Sequence, residues 1–226
     1  MKHLAQVPLR LALFACICGV FWLAAEARLS SVVNLCVIVV GVLLTFPVVW
    51  LGRKFLDRHQ TVGHAVWTTT FVHVALGFTL GIPILRAVTT YREWPGWVLP
   101  VPSGIGSALV IVTGAASALT VLNLALKGLG APFFIALSQR LTADWLYART
   151  RNPMALAGVA FFVALGIWFR SALFVLWVLI VFTPALLFFI RVFEERELEI
   201  RFGDAYRRYR AATPFLWPVV GRRTSH

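Results

Sequence analysis

Six stretches of this chain are too apolar to be at rest against water: roughly Leu9–Ala25, Val32–Leu51, Val66–Leu85, Ile105–Leu126, Met154–Phe169 and Ala172–Ile190. A helix needs about 20 predominantly apolar residues to cross the hydrocarbon of a bilayer, so run length marks these as membrane helices. The first and fifth are short, which suits a span with little tilt or one partly in the interface. Charged residues make up only 13% of the chain, against about a quarter in soluble domains. The expected fold is all-α: a polytopic integral membrane bundle of about six spans. Residues 1–126 carry four of them, and residues 127–226 carry a polar loop, a helical hairpin and an amphipathic tail.

The formal net charge of +12, from 21 basic and 9 acidic side chains, would suggest nucleic acid in a soluble protein. No basic helix with interleaved aromatics is present to grip a strand, and the basic residues fall between apolar runs. If the N-terminus is cytoplasmic, Lys2, Arg10, the "RKFLDRH" loop, the Lys127 to Arg151 segment and the whole tail share one side. Only Arg28, Arg86, Arg92 and Arg170 fall on the other. That asymmetry follows the positive-inside rule and predicts both termini cytoplasmic, in a bacterial inner membrane, with the positive charge drawn to anionic headgroups. The first 27 residues have the basic start, apolar stretch and "AEA" step of a signal peptide, but are read as a retained first span.

Several features have a structural explanation. Cys16, Cys18 and Cys36 match no zinc or redox spacing and are expected to be small buried hydrophobes. His73, inside the third span, is expected to hydrogen-bond a neighbouring helix. His59 and His64 lack a metal-ligand pattern, and no metal site is expected. Tyr91, Trp94 and Trp97 in "YREWPGW" are expected as interfacial anchors, and Gly77 with Gly81 forms a GxxxG packing signal.

The chemistry lies in two polar segments. Lys127–Pro153 contains Pro132, Asp144, Tyr147, Arg149, Arg151 and Asn152. The second begins at Arg191 with "RVFEERELEIRFGDAYRRYR". Only a tight turn around Arg170 separates the two apolar helices between them. An antiparallel hairpin therefore brings Arg151–Asn152–Pro153 and Glu194–Glu195 to one membrane face. Asn152 suits an N-cap and Pro153 the first helical position, while the helix start offers free N–H groups and a positive dipole end. Glu194 and Glu195 diverge by about 100° on an α-helix, so one is expected to face a pocket and the other to pair outward, for instance with Arg191. Glu197 and Arg201 form an i,i+4 ion pair, and Glu195 and Glu199 an i,i+4 like-charge pair. Cations and N–H groups on one edge, and carboxylates on the other, suit a zwitterionic ligand.

These residues carry a resemblance. "LYARTRNPMALAG", an apolar hairpin, then "EERELEIRFGDAYRRYRAATPFLWP" resembles the isoprenylcysteine carboxyl methyltransferase and phospholipid methyltransferase superfamily. That pattern is Arg-His/Asn-Pro-x-Tyr-x-Gly, a hairpin, Glu-Glu, Phe-Gly, and two spaced tyrosines before a proline. Arg151, Asn152, Pro153 and Gly158 fit its first part; Glu194, Glu195, Phe202, Gly203, Tyr206, Tyr209 and Pro214 fit its second. The similar region is roughly Lys127–Pro218. The resemblance implies integral-membrane methyl transfer from S-adenosylmethionine, bound in a cytoplasm-facing pocket, to a lipid or small hydrophobic acceptor bearing a carboxylate, thiol or amine. Tyr147, Arg151, Asn152, Pro153, Gly158, Glu194 and Glu195 are the implied cofactor-binding residues. Ala155 stands where relatives commonly have an aromatic, and Phe215 where many have a substrate-proximal arginine. Arg207, Arg208 and Arg210 are the candidates for that arginine's place, and Arg208, Arg210 and Tyr206 are the expected catalytic residues.

Two other readings compete. An NADPH-dependent membrane reductase related to sterol reductases would share the C-terminal architecture, but those proteins are usually longer. A transporter or structural membrane protein would fit the spans, yet the inverted repeats typical of transporters are not evident.

Overall fold

The computed structural model describes residues 6–94, 96–128 and 141–218. Six long helices run in chain order: α1 Gln6–Glu26, α2 Ser31–Arg58, α3 Val62–Glu93, α4 Ser103–Gly128, α5 Pro153–Trp168 and α6 Ala172–Phe202. A break at Gly203 separates α6 from α7, residues 204–212. No strand occurs among the described residues, only an isolated bridge between Val98 and Ser171. α2, α3, α4 and α6 are long and apolar enough to cross a bilayer; α5 and the Ala15–Glu26 part of α1 are shorter apolar helices. This is a polytopic helical bundle of an integral membrane protein, with large apolar side chains such as Trp22, Phe71 and Ile111 exposed on its outer surface. In a membrane such a surface meets lipid rather than water. Pro132 lies outside the described residues.

Local chemistry sets the helix starts. The hydroxyls of Ser30, Thr61 and Ser171 accept from the backbone N–H groups of Val33, His64 and Phe174, each occupying a donor that the helix leaves free. Two π-helical turns, Gly77–Gly81 and Val178–Phe182, end just before Pro83 and Pro184. A proline ring lacks the N–H and crowds the preceding turn; the wider π turn makes room for it. Thr183 Oγ1 donates to the Val178 carbonyl at 2.8 Å, five residues back. A third π turn, Ile190–Glu194, contains no proline and shifts the register of the glutamates that follow.

Core packing joins α2, α3 and α6 through Ile38, Val42, Leu56, Val72, Val178 and Phe193. Gly52 makes this possible: a Cβ there would lie 2.6 Å from Val72 Cγ2 and 2.9 Å from Phe193 Cε2. The expected GxxxG contact forms between α3 and α1, since a Cβ on Gly81 would stand 2.7 Å from Phe21 Cζ. Arg86 adds a polar lock. Its Nη1 donates to the Ala24, Ala25 and Ala27 carbonyls at the end of α1, and its Nε to Asn34 Oδ1 at 2.8 Å.

Several expectations are corrected. α2 continues through "RKFLDRH" as far as Arg58, because Arg53 and Asp57 pair at 2.7 Å one turn apart and Asp57 takes a second cation, Arg196, at 2.9 Å. α3 and α6 also outrun their apolar runs. Cys16, Cys18 and Cys36 are exposed, facing where lipid would lie instead of the protein core. His73 turns to its own helix, with Nδ1 2.8 Å from the Thr69 carbonyl oxygen, and sets its ring edge-on to Phe189. Tyr91 stacks on Phe169 at 3.8 Å and Trp94 packs against Phe174 and Trp177; only Trp97 stays exposed. These two rings tie the α3–α4 connection to the turn between α5 and α6, where Leu99 N–H donates to the Arg170 carbonyl. Arg170 makes that turn at φ 57°.

Candidate functional site

The hairpin brings the start of α5 and the end of α6 together. Arg151 Nη1 lies 2.6 Å from Glu195 Oε1, and these side chains are only 8% and 5% exposed. The pair is ionic without hydrogen-bond alignment: Arg151 Nε and Nη1 and Glu195 Oε1 have no hydrogen-bond partner within the protein. Arg151 also stands within electrostatic reach of the Tyr206 hydroxyl, which is 2% exposed. Arg210 Nε stands 3.7 Å from the other Glu195 oxygen, at the solvent edge of the cluster.

The segment after α7 closes one side. Arg151 N–H donates to the Pro214 carbonyl at 2.9 Å, and Asn152 Nδ2 donates to the Phe215 carbonyl at 2.8 Å. Asn152 occupies the N-cap position of α5, but its side chain makes no cap hydrogen bond; holding the tail is its task instead. Pro153 takes the first helical position as expected. Thr150, which sequence reasoning passed over, donates to the Phe215 carbonyl and accepts from Asn152 N–H. A threonine two residues ahead of the helix-start asparagine is the signal for such a local turn. Phe215 also lies beneath two guanidinium groups, those of Arg151 and Arg191, at 5.6 and 5.1 Å. Arg191 therefore pairs with the ring instead of with a glutamate.

The glutamates separate by partner. Glu195 pairs with Arg151, and Glu197 accepts from Arg201 Nη1 at 2.6 Å, as the i,i+4 spacing predicted. Glu199 takes Arg196 and Arg207. Glu194, half-buried, has no ion pair and no hydrogen bond among the described residues, and stands within electrostatic reach of Tyr147, Glu195 and Glu197. The π turn that ends at Glu194 shifts the register of both adjacent glutamates relative to the rest of α6.

Three tyrosines finish the inner wall. Tyr209 O–H donates to the Tyr147 carbonyl at 2.7 Å. Burial pushes all three phenols above the ordinary tyrosine range, reinforced by Glu194 beside Tyr147 and by Glu195 beside Tyr206. They stay protonated at neutral pH and serve as donors, not bases. Gly203, at φ 54° and ψ −129°, redirects the chain so that Tyr206 and Tyr209 turn inward; side chains with a Cβ rarely adopt that backbone. Gly158 has open space where a Cβ would be. Arg208 is exposed, two residues round the helix from Tyr206, and makes no hydrogen bond or ion pair among the described residues; it stands apart from the cluster, as does Arg149, also exposed.

The arrangement offers a buried guanidinium with spare N–H groups, an unpaired carboxylate, neutral phenols and an apolar surround. No curated protein matches this chain, and no solved structure does. Residues 103–205, from the start of α4 to just short of Tyr206, match the family model described as phospholipid methyltransferase, which places this region in the superfamily its motifs resemble.

Proposed function

We propose that this protein is a methyltransferase that takes its methyl group from S-adenosylmethionine and delivers it to a lipid or small hydrophobic acceptor at the cytoplasmic membrane face. The family match supports membrane methyltransferase activity. The observation that carries the donor assignment is the pairing of opposites within one cluster: Arg151 with unspent buried donors, and Glu194 with no cation among the described residues. A methionine moiety presents the complementary carboxylate and ammonium. Buried polar groups left unsatisfied cost about 1–3 kcal/mol each, so a ligand that supplies their partners regains that energy.

When bound, the cofactor supplies a methyl group on a sulfonium, open to in-line displacement. Arg151 would hold the carboxylate end, Glu194 the ammonium end or a ribose hydroxyl, and Tyr147 and Tyr206 would donate as neutral phenols. Asn152 and Thr150 act at one remove by fixing the 213–215 segment against Arg151. Orientation is the principal catalytic contribution, worth about 7–11 kcal/mol in the best intramolecular cases. An anionic acceptor loses its charge with the sulfonium's in the transition state, so an apolar surround favours the step relative to water. An amine acceptor must arrive unprotonated. The tyrosines are poor bases here, so an amine acceptor would have to lose its proton before it enters the pocket. Arg210, at the open edge beside Glu195, is the arginine placed to meet an anionic acceptor.

The test is transfer of labelled methyl from S-adenosylmethionine by the purified protein to a lipid extract and to a panel of small hydrophobic thiols and carboxylates. Labelled product in one class identifies the acceptor. No label in any class, with oxidation of NADPH instead, would favour the reductase reading.

A further inference from the structure

Two cavities lie at the opposite end of the bundle from this site. One, of about 310 Å³, is a mostly apolar cleft between α2, α3 and α6, walled by Leu35, Ile38, Leu173, Asn34 and Trp177. The other, of about 290 Å³, is a polar vestibule bearing Glu26, Arg28 and Glu93. Thr90 and Glu93 line both, so the two are neighbours.

Two buried donors in the cleft wall have no acceptor within the protein: Asn34 Nδ2 and Trp177 Nε1, on side chains of residues 4% and 7% exposed. The amide orientation of Asn34 is fixed by chemistry. Arg86 Nε donates to its Oδ1, and a guanidinium has only donors, so the NH2 group is the end left free. Each orphaned donor buried in apolar surroundings calls for an oxygen. The cleft opens along Leu35, which is 60% exposed on the lipid-facing surface.

We propose that this cleft binds one acyl-ester phospholipid of the surrounding bilayer. Its ester carbonyl accepts from Asn34 Nδ2 and Trp177 Nε1, its chain runs over Leu35, Ile38 and Leu173, and its zwitterionic headgroup lies among Glu26, Arg28 and Glu93. A purely apolar chain would satisfy neither donor, and a soluble anion would gain nothing from the cleft. The site is distinct from the methyl-transfer region and does not depend on the methyltransferase reading.

Native mass spectrometry of the full chain, released from detergent with equimolar dioleoylphosphatidylcholine and its diether analogue, tests this directly. The two lipids share headgroup and chain and differ in the carbonyls. Wild-type protein is expected to retain the ester form by about tenfold over the ether, the worth of two modest hydrogen bonds. Trp177→Phe should reduce that preference roughly three- to fivefold. Asn34→Asp, which keeps an oxygen for Arg86, should do likewise. Equal retention of both lipids by the wild type overturns the proposal, as does an undiminished preference in Trp177→Phe. Loss of lipid adducts altogether, leaving the donors to water, overturns it too.

Discussion

Arg86 and Arg151 are both buried arginines at helix ends, and they differ in what remains for them to do. Every nitrogen of Arg86 has a partner: Nε and Nη2 donate to Asn34, and Nη1 to three carbonyls that end α1. Arg151 touches Glu195 yet keeps Nε free of any hydrogen bond within the protein, beside a glutamate that no described cation neutralises. Saturation marks the first as a structural lock. Surplus is what the proposed donor site requires of the second. Burial alone would have treated them alike.

The comparison breaks most visibly at Arg86. Arg86→Ala removes the donors to the Ala24, Ala25 and Ala27 carbonyls and to the buried Asn34 amide oxygen, and should cost about 3 kcal/mol of stability, read as a lowered unfolding midpoint in detergent. Protein that remains folded should bind S-adenosylhomocysteine normally. Gly203→Ala comes next. Forcing a Cβ into φ 54° costs about 1–3 kcal/mol and misdirects Tyr206, so both the midpoint and ligand affinity should fall. Glu194→Gln is the reverse of Arg86→Ala: with no described ion pair to lose and like-charge neighbours relieved, the midpoint should hold or rise, while affinity drops about tenfold, or about 1.4 kcal/mol. Smallest is Tyr209→Phe, which removes one hydrogen bond to the Tyr147 carbonyl, about 1 kcal/mol, visible as a modest shift in the midpoint. An affinity loss in Arg86→Ala matching that of Glu194→Gln would erase the distinction between the two arginines.

What the sequence reveals here follows the range of each interaction. Apolar run length locates all six apolar helices, four of them long enough to cross a bilayer. The meeting of Arg151 with Glu195 follows from one short turn at Arg170 between two antiparallel apolar helices. The charged end of α2 does not announce itself, because Asp57 is held by Arg196, 139 residues away. Nor does the true work of Asn152. Asn-Pro before an apolar run reads as a cap, and only the fold shows its amide committed to the Phe215 carbonyl. The π turn at Ile190–Glu194 is likewise hidden, since no proline follows it as one follows each of the other two. Arg86 reads as a loop charge by the positive-inside count, although it is 3% exposed and engaged with α1.

The central claim is that the Arg151–Glu194 region holds the methyl donor. Calorimetric titration of the detergent-purified wild-type protein with S-adenosylhomocysteine, and in parallel with NADPH, measures this most directly. The account predicts saturable binding of S-adenosylhomocysteine at one site per chain and none of NADPH. Saturable binding of NADPH with no heat from S-adenosylhomocysteine would contradict it.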